Sequence, residues 1–185
     1  MRINFGSKPI LYPMPVLIIG TYDENKNADA MNAAWGSIID SDKITIALTK
    51  SHKTVKNLLK TKAFTVSMAT EEYVSECDYF GIESGNREND KIKKADLHIV
   101  ESENVNAPLI EELPLALECQ VLSYDEETEI LIGKIVNVCA DEKILTEGKI
   151  DVSKLKPITY DPENHVYLAL GNKVGSAFAD GKKFL

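Results

Sequence analysis

Runs of alternating apolar and polar residues dominate this chain, broken by short stretches in which the period becomes helical. Residues 16–22 are nearly all apolar and rich in β-branched side chains, the pattern of a strand buried on both faces. The polar residues 23–27 read as a turn, and residues 28–39 as a returning strand, so the two predict a hairpin. Ile44, Ile46 and Leu48 alternate with polar neighbours in a half-buried third strand over 43–48. The period then changes: Val55, Leu58 and Leu59 stand at i, i+3 and i+4, predicting a helix over 51–60. Phe64, Val66 and Met68 restore alternation over 63–69. Thr70 is placed to cap a second helix, with Glu71 and Glu72 in its first turn, Tyr73, Val74, Cys77 and Phe80 as its apolar stripe, and Gly81 as its stop. After a polar loop over 85–90, Asp90 is set to cap a short helix over 91–95. Leu115, Leu117, Cys119 and Val121 share one strand face, residues 125–128 turn, and 129–140 return as a long β pair. The tail after Tyr167 could fold back over the body.

Six or more strands in consecutive hairpins, with two or three short helices, predict a closed or partly closed antiparallel barrel. No repeat, linker or low-complexity tract divides the 185 residues, so a single domain over 1–185 is expected. Composition then narrows the function. A formal charge of −8, with no lysine run longer than a pair, argues against a nucleic-acid partner. The apolar runs are far shorter than the roughly 20 residues of a membrane span. No basic, apolar leader opens the chain, and Cys77, Cys119 and Cys139 make no CxxC or zinc spacing; together these predict a cytoplasmic protein without a structural metal. There is no GxGxxG after a strand, no Walker motif and no nucleophile elbow.

Two segments carry chemistry. Asn32, Ala33, Ala34, Trp35, Gly36 and Ser37 put small side chains around the sole tryptophan. Small residues let a flat ligand approach backbone amides, and a large amphipathic ring beside a bare backbone suits a pocket wall. The same residues would also serve as an ordinary strand under a helix, and Asn32 could as well cap a bulge. Ser51, His52, Lys53 and Thr54 open the first helix, where free N–H groups and the dipole favour an anion; the plainer alternative is an N-cap. A planar, hydrogen-bonding ring at one segment and a phosphate at the other describe a flavin mononucleotide, and only one phosphate cradle is present, which favours FMN over FAD.

These segments, together with residues 13–21, 64–68, Asp90-Lys91, 108–119, 133–138 and 167–171, stand in an order that resembles the flavin reductase-like, flavoredoxin-type family of FMN-binding split barrels over nearly the whole chain. The resemblance implies a mainly β (α+β) fold, an antiparallel, Greek-key-like split β-barrel with a few short helices. It implies a homodimer with FMN held non-covalently at or near the subunit interface. It puts the ring along residues 32–37 and the strand end Ser67, Met68 and Ala69, and the phosphate at Ser51 to Thr54. Lys91 would reach the phosphate or ribityl chain, or else be a solvated lysine. The activity implied is that of an FMN-dependent oxidoreductase, passing electrons from NAD(P)H or another donor to free flavin, ferric iron or a protein. The alternative is a flavin-binding carrier with no NAD(P)H turnover of its own. Without a dinucleotide fold, NAD(P)H would stack on the flavin and leave before the acceptor enters. No side chain is assigned as acid or base, because flavin N5 would carry the chemistry.

Overall fold

A computed structural model describes residues 1–185. The chain up to Met68 holds β1 (Met14–Pro15), β2 (Leu17–Tyr22), β3 (Ala28–Ala33), β4 (Gly36–Asp40), β5 (Lys43–Ala47), helix α1 (Lys53–Thr61) and β6 (Ala63–Met68). Helices α2 (Val74–Ile82) and α3 (Lys91–Lys94) follow, then β7 (Ile99–Glu101), β8 (Pro108–Ile110) and the long pair β9 (Leu115–Asp125) and β10 (Ile130–Ala140). The chain closes with β11 (Leu145–Thr146), β12 (Lys149–Ile150), α4 (Val152–Leu155), β13 (Ile158–Asp161) and β14 (Val166–Ala169).

One seven-stranded antiparallel sheet dominates, in the order β3-β2-β6-β9-β10-β5-β4. Its two edge strands, β3 and β4, are consecutive in sequence and joined only by Ala34 and Trp35. Seven strands laid flat at about 4.8 Å spacing would hold their edges about 29 Å apart. Three Cα–Cα steps reach at most about 11 Å. The sheet therefore has to curl until its edges meet at this corner. The expected single strand over 28–39 is corrected accordingly: it breaks at Ala34-Trp35, and its halves pair at opposite ends of the sheet. Gly36 permits the closure, because a Cβ there would sit 2.7 Å from Leu17 Cδ1 on β2 and 3.2 Å from the Thr45 carbonyl.

Alternation sends the two faces of the sheet into two cores. Leu17, Ile19, Ile44, Ile46, Phe64, Val66 and Leu131 fill the barrel, and Val55 and Leu58 of α1 pack against them. Val16, Ile18, Ala30, Cys77, Phe80, Ile110 and Ile158 make a second cluster outside it, beneath α2, α3 and β13. This is why all six residues of β2 are buried, as the apolar run predicted. Gly133 is matched to the barrel core, since a Cβ there would overlap the Phe64 ring.

The helices need four corrections, the first at α3, which ends at Lys94 and whose N-cap residue Asp90 makes no side-chain capping bond. α1 begins at Lys53, so Ser51 and His52 precede it; His52 is the extended cap residue and no side chain caps the helix. Thr70 does not cap α2: it bridges Pro157, and the Glu71 N–H goes to the Lys156 carbonyl, so the helix starts at Val74. Gly81 lies inside α2 and does not stop it. Its missing Cβ makes room for Asn32, whose own Cβ would be 3.3 Å away. The tail turns away from the barrel after β14, and every residue from Leu168 to Leu185 is exposed.

Candidate functional site

The barrel corner opens onto a cavity of about 870 Å³. Ala34, Trp35, Gly36 and Ser37 form one wall; Met68 and Ala69 at the end of β6 form another; Pro13 to Leu17 and Pro157 to Thr159 complete it, with Lys8 to Leu11 and Leu170 at the rim. The volume lies in the range of cavities that hold small organic cofactors. Trp35 keeps 58% of its surface exposed, although it is the bulkiest side chain of the sequence. Its carbonyl accepts from the Ala47 N–H at 2.8 Å, so the backbone is hydrogen-bonded where the ring is exposed. Lys8 is the sole titratable side chain in the lining, and its Nζ is tied to Glu163 at 2.8 Å. The cavity offers apolar surface and backbone edges, and no acid or base of its own.

The remaining sequence candidates lie elsewhere. Asn32 points out of the barrel and donates from Nδ2 to the Cys77 carbonyl at 3.0 Å. Ala33 is barrel core, and Ser67 is buried at 1% exposure. Tyr167, beside Asn32, donates its hydroxyl to Asp78 at 2.7 Å; burial and that contact raise its pKa.

The start of α1 sits at the same end of the barrel as Trp35, since Ala47 leads into it five residues before His52. Ser51 and His52 are exposed there. Lys53 reaches across to Asn89 Oδ1 at 2.9 Å and Lys56 to Asn86 Oδ1 at 3.0 Å, while Asn86 donates to the Ser51 carbonyl at 3.1 Å. The loop between α2 and α3 is thus laid along the helix start. Thr54 is buried, and its hydroxyl donates to Asp29 Oδ2 at 2.6 Å. Lys91 is buried as well; its Nζ donates to the carbonyls of Ala30 (2.5 Å) and Glu83 (3.2 Å) and lies 3.5 Å from Asp29 Oδ1. Burial lowers the Lys91 pKa, and Asp29 works against that shift. Three acceptors around one nitrogen suit an ammonium, which has three protons to give. Lys91 is therefore a tie between β3, α3 and the loop, and the solvated lysine foreseen as its plainer role is corrected.

Sequence reasoning missed Asp29, the charge at the centre of this cluster, and the N-terminal and Pro157 walls of the cavity. The run Ile10-Leu11-Tyr12 beside Pro13 was the available signal for the second. The thiols are quiet: burial pushes Cys77 and Cys119 up to about 12, and Cys139 is also raised by burial.

A match to the flavin reductase like domain covers residues 10–165. The chain belongs to the flavin reductase-like family. The flavoredoxin of Desulfovibrio vulgaris (Miyazaki F) is 34% identical, with a TM-score of 0.94 over 98% of this chain and 100% of that one. The flavoredoxin of Methanosarcina acetivorans is 25% identical, with a TM-score of 0.91 over the whole of both chains. An FMN-binding domain of a flavin reductases-like enzyme from Shewanella baltica OS155 shares the fold, at 16% identity and a TM-score of 0.79 over 88% of each chain. The fold of this family member is accordingly a split β-barrel. No helix is long and apolar enough to cross a membrane.

Proposed function

We propose that the protein binds FMN non-covalently and serves as a redox flavoprotein, with the ring in the corner cavity and the phosphate toward the start of α1. The observation that carries this reading is the cavity's lining: apolar walls, a bare backbone corner and a free indole, with no unpaired acid or base. Such a site can hold a planar ring and exclude water, but proton chemistry would have to come from the group it holds. FMN supplies two-electron redox chemistry at such a site when bound. The chain's own part is to offer Ala34–Ser37 amides to the ring edge, the exposed Trp35 indole as a cover, and Lys53 with the first-turn N–H groups of α1 to the phosphate. Thr54, its hydroxyl already donating a hydrogen bond to Asp29, would shape the phosphate site through the position of the helix start.

A carrier of electrons without NAD(P)H turnover is the second reading, favoured by the two flavoredoxins among the similar structures. A homodimer is part of the proposal. Ile38 and Ile39 on edge strand β4 and Val136 and Val138 on β10 leave apolar surface open that a second copy would cover.

The test is the visible spectrum of the purified protein, reconstituted with FMN where colourless, followed by anaerobic mixing with NADH or NADPH. Bound, releasable FMN supports the reading, and failure to take up FMN overturns it. Prompt bleaching by either nicotinamide marks a reductase; a yellow colour that persists for minutes marks a carrier. Light scattering should give twice the 20.5 kDa chain mass.

A further inference from the structure

Residues 171–185 have a definite shape with no partner in their own chain. The Ser176 N–H donates to Asp180 Oδ2 at 2.9 Å, and a 3-10 turn over Asp180–Phe184 follows. Every hydrogen bond made by this segment stays within it, and every residue in it is exposed. Its large apolar side chains stand in water: Val174 is 102% exposed, Phe178 98%, Phe184 83% and Leu185 105%. Ordering a chain costs conformational entropy, and a turn that displays two phenylalanines to water recovers none of it. The tail also departs in charge from the rest of the protein. It carries Lys173, Lys182 and Lys183 against Asp180, whereas the whole chain has 29 carboxylates against 21 lysines and arginines.

The body shows the complement. The corner cavity is apolar, is rimmed by Leu170, where the tail departs, and adjoins the open apolar strand β4 with Ile38 and Ile39. Within its own chain no residue beyond Leu170 lines this surface.

We infer that the C-terminal segment docks on a second copy of this chain, seating Phe178 and Phe184 against the partner's apolar surface at the mouth of its corner cavity. Each copy would give and receive one tail, as two-fold symmetry requires. The cavity would then be complete only in the pair, with a wall of aromatic side chains supplied in trans. The inference rests on the homodimer proposed above.

The test replaces Phe178 with the photo-crosslinker p-benzoylphenylalanine in a refolded mixture of natural-abundance and nitrogen-15-labelled chains, without added flavin. The expected products join a tail peptide of one isotope to a peptide from residues 8–17 or 34–39 of the other. Products of a single isotope only, with no mixed pairs, would mean that the tail folds back on its own barrel, and would overturn the inference. So would crosslinks confined to other tails, or none to the barrel. In parallel, a chain ending at Gly171 should fold with an unchanged far-ultraviolet spectrum but dimerise at least roughly tenfold more weakly, the scale of uncovering one buried phenylalanine; unchanged dimer affinity overturns the docking. A monomeric full-length chain would instead sink the homodimer itself, so the two failures are told apart.

Discussion

Replacing Lys91 with methionine tests the cluster that ties the helix start to the barrel edge. Lys91 and Asp29 have only 3% of their side chains exposed each, and 3.5 Å separates their charged atoms. In Lys91→Met the Asp29 carboxylate stays buried with the Thr54 hydroxyl as its remaining side-chain donor, and the Ala30 and Glu83 carbonyls lose the amine. Breaking a buried pair by removing one partner costs about 3–5 kcal/mol. For a chain of this length each kcal/mol moves the melting temperature by about 2–4 °C, so a fall of roughly 6–20 °C is expected. Urea unfolding followed by circular dichroism gives the free energy directly, and an unchanged slope would show that the folded and unfolded states keep their compactness. Asp29→Asn in the Lys91→Met background should recover stability, because it removes the stranded charge. The two losses should fail to add by about 0.5–3 kcal/mol. A loss below about 1 kcal/mol for Lys91→Met, or strict additivity in the double variant, would refute the idea that this pair holds the region together.

Two further outcomes follow from particular contacts. Gly133→Ala drives a methyl into the buried Phe64 ring and should cost about 1–3 kcal/mol in urea unfolding, with Phe64→Leu restoring part of it. Glu118 is 1% exposed; burial alone would raise its pKa, but donors from Ser102, Asn137 and Asn104 outweigh it and leave the pKa lowered. The unfolded chain therefore binds this proton first as pH falls, so the stabilisation is full above the ordinary glutamate pKa and is lost on the acid side as pH drops through the folded value. Glu118→Gln should flatten the stability profile in that window, and an unaltered acid slope would count against the network.

Local pattern was enough for the strands whose neighbours follow closely in sequence. β2, β5, β6 and the β9–β10 pair were legible because alternation and turn residues are local signals, and Asp125 caps its turn by accepting the Glu127 and Thr128 N–H groups. The corner at Ala34-Trp35 was not, because nothing in a run of strand-forming residues records that its halves must reach opposite edges; the requirement comes from closing the sheet. Gly36 carried the hint, but its crowding by Leu17 exists only after closure. Of the site, the segment from Ala34 to Ser37 and the pair Met68 and Ala69 could be read from small and apolar residues. Thr54 and Lys91 could not be placed, since their partner Asp29 lies 25 and 62 positions away and looks like any strand-end carboxylate.

The two-residue link between β3 and β4 makes the cavity wall and the barrel seam one object. Any opening of the seam must swing the Trp35 wall, and any ligand seated against that wall acts as a latch on the seam. A ligand that binds only the closed form would add stability as RT ln(1 + [L]/Kd), about 2.7 kcal/mol at a hundredfold excess over Kd. That latching would appear first at the Ala47 amide, which crosses to the Trp35 carbonyl, as slowed hydrogen exchange before any global change in melting. Occupancy of this protein could in that way be read from a single backbone proton at the hinge of its own barrel.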